Sequence, residues 1–279
     1  MGRSDRKSGT ERPGRSSDKR ISSGAEQLTG VHASIEAIRA QRRKLRVLRV
    51  RQGVQRPEVA AVVAAAREAG IPVESIGDPQ FAEFASGAGN PQGVVLEAEP
   101  LPELSLESLL QSIGADDPTL VALDGVEDPQ NLGAIARVAE AAGVAGLILP
   151  RRRCAPLSPA AARASAGAIE WLPCARVPNL PRALNQLKSN GFWIFGSEPE
   201  ASDDLFELPD RALEGKRVVV FGAEGRGVRR GVERALDYRV RIPLGGRVAS
   251  LNVSSAAAVF LFELKRRSKL ATLPRLPYK

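Results

Sequence analysis

The chain is short of the side chains that most often carry hydrolytic or metal chemistry. Cys154 and Cys174 are its only cysteines and His32 its only histidine. That supply is too small for an ordinary zinc site or a disulfide scaffold, so no metal is expected. It also excludes a Ser-His-Asp or Cys-His machinery unless His32 serves, and no nucleophile stands near it in the sequence. No stretch approaches the roughly 18 consecutive apolar residues of a membrane span. The polar, basic N-terminus lacks the apolar segment of a secretory signal, which leaves the cytoplasm as the expected location.

What is present is a chain of 279 residues, enough for two modest domains with separate cores. With 43% hydrophobic and 26% charged residues it has the balance of a soluble globular protein. The net charge of +8 is concentrated in patches. Residues 1–25 carry seven Lys/Arg against three Asp/Glu, and residues 265–279 carry six against none, leaving the middle slightly acidic. Within that middle, Arg39, Arg42, Arg43, Lys44, Arg46, Arg49, Arg51 and Arg56 form a run without an acid. Clustered positive charge of this kind suits a protein that grips phosphates.

Residues 1–25 have almost no apolar side chain to offset ordering entropy and read as a disordered basic tail. Residues 26–99 read as a small α/β domain, with helices over 33–40 and 57–69 and strands at 45–50 and near Val73 and Val94. Residues 100–118, with three prolines around one short apolar segment at 106–113, read as a linker. Residues 119–270 repeat strand, loop and helix. Strands are expected at 120–123, 144–149, 192–195, 218–221 and 239–242, and helices at 132–142, 181–188 and 253–267. Short apolar strands between helices indicate a mostly parallel sheet covered on both faces. Residues 271–279 complete a basic C-terminal tail.

Three segments carry candidate chemistry. The first, 131–137 (NLGAIAR), enters a helix that Asn131 is placed to cap, and holds Arg137 among apolar neighbours, where an unpartnered charge is costly to bury. The second, 221–228 (FGAEGRGV), follows a strand; Gly222, Gly225 and Gly227 permit positive φ and close approach of backbone amides to a ligand. Its glycines run 225, 227 and 231, which is not the dinucleotide spacing, and no acid stands about twenty residues on to hold a ribose. The third, 242–254 (IPLGGRVASLNVS), brings Ser250, Asn252 and Ser254 to a helix start, where capping alone would also explain them.

In this order and spacing the three segments resemble the signature motifs of the SpoU (TrmH) family of RNA 2′-O-ribose methyltransferases, within the SPOUT class. The resemblance covers residues 119–268, including the connecting stretch 165–170 (SAGAIE). The front domain, opening on 28–33 (LTGVHA), is similar to the L30e-like substrate-binding domain of many members. One departure is Ala249, where many relatives carry a second serine.

The resemblance implies a parallel sheet with a trefoil knot near the C-terminus and a homodimer with its active site between subunits. It implies S-adenosylmethionine as methyl donor, held at Gly222, Ile242 and Leu251 with Gly225 and Gly227 adjoining. Arg137 matches the catalytic arginine, and Asn131, Glu224, Ser250 and Asn252 match the polar positions around it. The implied substrate is a guanosine of 23S rRNA, with tRNA, or RNA binding without catalysis, as alternatives. Arg39, Arg42, Arg43, Lys44 and Arg46 are expected to contact RNA phosphates, together with Arg151, Arg152 and Arg153 at the base of the loop over 150–159.

Overall fold

The computed structural model describes residues 24–86, 90–114, 117–223 and 225–267. The expected C-terminal tail over 271–279, all but the last two residues of the expected N-terminal tail over 1–25, and Glu224 lie outside the described residues.

The front part contains β1 (Glu26–Thr29), α1 (Val31–Ala40), β2 (Leu45–Arg51), α2 (Pro57–Glu68), β3 (Val73–Ile76), α3 (Asp78–Phe84) and β4 (Val94–Ala98). Its sheet runs β1-β4-β2-β3, antiparallel except where β2 and β3 pair in parallel. The second part contains α4 (Leu106–Ser112), β5 (Thr119–Asp124), α5 (Pro129–Ala142), β6 (Gly146–Pro150), α6 (Pro159–Ala164), β7 (Cys174–Val177) and α7 (Leu180–Ser189). It continues with β8 (Trp193–Ser197), β9 (Asp203–Asp204), β10 (Arg217–Gly222), α8 (Arg230–Glu233), β11 (Tyr238–Arg241) and α9 (Val253–Arg267).

The seven strands of the second part lie in the order β7-β6-β5-β10-β8-β11-β9, and all their pairings are parallel. The short aliphatic runs explain this. β6 and β10 are buried at every position, as strands covered on both faces must be. Alternate residues serve the two faces: Val121, Leu123, Val219 and Phe221 join a core with Leu132, Ile135 and Phe260, contributed by α5 and α9. Leu120, Ala122, Val218 and Val220 join another with Leu109 and Leu184, contributed by α4 and α7.

Two local expectations are corrected. α5 begins earlier than Asn131: Pro129 occupies the first turn, where its fixed φ and missing N–H cost nothing, and the Asp128 carboxylate caps by accepting from Gln130 N at 2.9 Å. The stretch 100–118 is also more than a tether, since Leu104 bridges to Ala175 beside β7 and Leu109 of α4 is buried.

Candidate functional site

From β5 the chain proceeds outward through β6 to β7, then crosses to the other side of β5 for the remaining strands. The direction of winding therefore reverses between β5 and β10, and in open parallel sheets the crevice at the carboxyl ends of such strands is the ordinary ligand site. Here the two strand ends nearly touch. A Cβ on Gly125, whose φ is +88°, would lie 3.1 Å from the Ala223 Cβ. The buried Asp124 carboxylate accepts from the Arg229 backbone N at 2.8 Å and from its Nε at 2.7 Å, tying the loop after β10 to β5. Sequence reasoning missed this pair; an acid ending an otherwise apolar strand was its signal.

Gly222 ends β10 where only a hydrogen fits, because a Cβ there would collide with the backbone of Gly227. Ala223 and Gly227 exchange backbone hydrogen bonds of 3.2 and 2.9 Å, closing a small loop with Gly225 exposed. The amides of Ala223 and Gly227 are thus spent within the loop, while the Cα atoms of Gly225, Gly227, Gly245 and Gly246 face open space. Ile242, just past β11, is half-buried against the main core. Ser250, Leu251 and Asn252 are exposed immediately before α9.

The first and third segments meet through their asparagines. Asn252 Oδ1 accepts from Ser254 N at 2.9 Å and from Ser254 Oγ at 2.6 Å, capping α9. That assigns its other terminal atom as the donor, and Nδ2 reaches Asn131 Oδ1 at 3.1 Å. α5 and α9 are clasped at the far end as well, where Lys265 Nζ donates to the Ala141 carbonyl at 2.8 Å.

Arg137 is not part of this clasp within one chain. Six residues beyond Asn131, it lies roughly 120° around the helix from it. The sequence left open whether this charge is buried or exposed, and the side chain is exposed, on the stripe that carries Gln130 and Ala141. Among the described residues no hydrogen bond or ion pair engages its guanidinium.

The acid-free basic run is also corrected. Arg43 is buried, with Nε and Nη2 donating to Glu170 at 3.0 and 2.6 Å and Nη1 to Glu26 at 2.8 Å. Arg42 donates to the Glu170 and Leu172 carbonyls at 3.1 and 2.5 Å, and Arg46 to Glu99 at 3.3 Å. The acids that answer the run come from other parts of the chain, so a linear scan found none. Only Arg39 and Lys44 of the five expected phosphate contacts are well exposed, whereas Arg151, Arg152 and Arg153 all are. Among the described residues no group of acids, cysteines and histidine could hold a metal ion, and no helix is long and apolar enough to cross a membrane.

A family model described as the SpoU rRNA methylase family matches residues 118–262. The chain belongs to that family. A second model, for the RNA 2′-O ribose methyltransferase substrate-binding domain, matches residues 27–104, so the SpoU assignment extends across both parts. Among SpoU relatives, the 23S rRNA (guanosine-2′-O-)-methyltransferase RlmB of Pseudomonas aeruginosa is 39% identical, over 87% of this chain and 96% of its own. A TrmH family tRNA/rRNA methyltransferase of Bacillus subtilis, YacO, is 33% identical over 86% and 95%. A crystal structure of an RNA 2′-O ribose methyltransferase superposes with a TM-score of 0.74 at 27% identity, over 89% and 90%. A Sinorhizobium meliloti rRNA methyltransferase crystallised with S-adenosylmethionine gives 0.71 at 28% identity, over 88% and 89%.

Proposed function

We propose that the chain transfers a methyl group from S-adenosylmethionine to a ribose 2′-hydroxyl in RNA, its substrate being a guanosine of 23S rRNA. The observation that carries this reading is the Asn252–Asn131 hydrogen bond, which joins the first and third SpoU segments beside the crevice of the parallel sheet. Full-length relatives named for 23S rRNA guanosine methylation support the substrate.

The residues present suit the donor. Adenine, ribose and an amino-acid tail need backbone hydrogen bonds and small neighbours, and the loops carrying Gly225, Gly227, Gly245 and Gly246 leave open space above those positions. Ile242 and Leu251 would offer apolar contact to the base, with Gly222 keeping the β10 loop tight. When bound, S-adenosylmethionine supplies a sulfonium methyl whose thioether leaves without assistance from a metal.

The protein's task is to align the acceptor and stabilise charge growing on its oxygen. A bond forms from the 2′-oxygen to the methyl carbon as the carbon–sulfur bond breaks, and the hydroxyl proton must depart. Arginine stays charged in proteins, so Arg137 orients the hydroxyl with a neighbouring phosphate and lowers the hydroxyl's pKa, the proton passing to phosphate or water. Asn131 and Asn252 orient the acceptor; Ser250 contacts ribose or donor. Glu224 fixes Arg137 or its loop.

The same proposal includes a homodimer whose second copy completes the site. Support comes from the exposed, unengaged Arg137 and from the exposed apolar side chains of Val248, Leu251 and Phe262 on the third segment and α9. It includes the trefoil knot, favoured by a sheet in which β10 lies between the earlier strands β5 and β8. An L30e-like front domain over 26–99, a catalytic domain over 119–270 and a cytoplasmic location complete it.

The test is to map alkali-resistant ribose positions in RNA from a strain lacking this gene. One 23S rRNA guanosine should lose its methyl group and regain it when purified protein and S-adenosylmethionine are added. Loss from tRNA instead would move the substrate, and an unchanged RNA together with calorimetric binding of NAD but not S-adenosylmethionine would overturn the reading.

A further inference from the structure

The basic run that composition assigned to RNA turns two of its members inward, onto the catalytic part of the chain. Arg43 and Glu170 are as deeply buried as core leucines, their side chains 1% and 0% exposed, and they share a forked pair of hydrogen bonds. Arg43 belongs to the turn between α1 and β2 of the front part, while Glu170 ends the stretch 165–170 beside β7. Buried ions of opposite sign are expensive to bring together, and leaving one without the other is costlier still. Apolar side chains would have glued the two parts with less penalty, so the pair serves orientation better than it serves adhesion.

The surroundings fix that orientation further. Arg43 also donates to Glu26 of β1 and to the Glu99 carbonyl just past β4, so the first and last strands of the front part, in chain order, converge on one guanidinium. Arg42 reads two carbonyls across the seam, and Arg163 donates to Thr29 at 3.0 Å. A Cβ on Gly167 would lie 2.9 Å from the His32 carbonyl oxygen, so α1 sits against bare backbone. Leu28, Val31 and Ile35 of the front part share one apolar cluster with Ala161, Ile169 and Leu172.

We infer that Arg43 and Glu170 form a positioning latch that holds the front part at one angle to the catalytic part, so that RNA gripped in front enters the site in one register. The register half of this inference rests on the methyltransferase reading; the latch itself does not. A guanidinium meeting a carboxylate along two parallel bonds has a preferred plane as well as a distance, which a greasy contact lacks. The latch is therefore a specificity element remote from the transferred methyl group. It lowers the cost of binding a large RNA by setting the geometry in advance.

The test uses the full-length protein with spin labels on Glu68→Cys in α2 and Ser202→Cys before β9, mixed with excess unlabelled chain so that only distances within one chain are read. Distance distributions are recorded for the otherwise native chain, for Glu170→Gln, for Arg43→Met and for the exchange Arg43→Glu with Glu170→Arg. One narrow distance should broaden in both single variants and narrow again in the exchange, while calorimetric affinity for S-adenosylmethionine stays the same. With a structured rRNA fragment, KM should rise by about tenfold in the single variants with kcat at saturating RNA retained, the pattern of weakened binding with intact chemistry. Native-like narrow distances in both single variants overturn the latch, and broad distances with an unchanged RNA KM overturn its role in register. A native chain that binds but does not methylate RNA would instead overturn the proposed function, and the distances would still decide the latch.

Discussion

Arg137 joins a fixed positive charge to an exposed position, a pairing that suits a group whose partner arrives from outside the chain. Its replacement by alanine should leave the fold and S-adenosylmethionine affinity intact while slowing methyl transfer by roughly a hundredfold or more, the loss expected from one stabilising donor. Lysine should rescue poorly, because it keeps the charge but not the planar fork. Single-turnover assays with separate donor-binding measurements distinguish this from misfolding, and a wild-type rate in Arg137→Ala would remove the residue from the mechanism. The cysteines behave oppositely. Burial pushes the Cys154 thiol up to about 11 and the Cys174 thiol up to about 12, against the pull of nearby arginines. A raised thiol pKa means the nucleophilic thiolate is scarce at pH 8. Iodoacetamide at that pH should therefore leave both unmodified in the native protein and alkylate both in denaturant, as read by mass spectrometry.

Among the elements, α5 and α9 meet at their N-terminal ends through one amide. Asn252 uses its oxygen to cap α9 and its nitrogen to hold Asn131, and Asn252→Asp separates the two duties. Aspartate keeps the cap and its charge is welcome at a helix N-terminus, so the melting temperature should hold. It cannot donate to Asn131, so methyl transfer should fall; an unimpaired rate would show that the clasp is structural only. The long elements were legible because their apolar periods were: α9 runs Val253–Arg267 as expected, and the buried strands announced themselves as aliphatic runs. β1, α3, α6 and β7 were not legible. β1 and β7 mix charged or polar residues into four positions, and α3 and α6 are too short to display a helical period. The three motif segments stood out by their order and spacing, whereas the Asp124–Arg229 and Arg43–Glu170 pairs did not. Each joins residues more than a hundred positions apart, which no local pattern encodes.

For the whole molecule, the exposed basic surface differs from the one composition suggested. Arg151, Arg152 and Arg153 follow β6 at the carboxyl edge of the large sheet, the edge that also carries the crevice. Replacing all three by alanine should weaken RNA binding and flatten its salt dependence, by about 0.7 to 0.9 in the logarithmic slope for each phosphate no longer neutralised. Filter binding across a salt series measures it, and an unchanged slope would make these arginines ordinary surface. Dimerisation has a sharper test than mass alone. Mixing Arg137→Ala with Asn252→Asp should restore activity if the site combines segments from two chains, and fail to do so if each chain works alone.

The hydrogen bond between Asn131 and Asn252 spans 121 positions, and its second partner lies beyond the last strand among the described residues, which ends at Arg241. Translation releases a chain from its N-terminus, so every described strand of both sheets has been made before Asn252 exists. A nascent or prematurely ended chain stopping at residue 250 would hold the front part, the large sheet's strands and Arg137, yet lack Asn252 and the α9 side chains, Phe260 among them, that complete the core. On the proposed reading such a chain occupies RNA without modifying it. Incomplete synthesis would then yield a competitor for the substrate, not a slower enzyme.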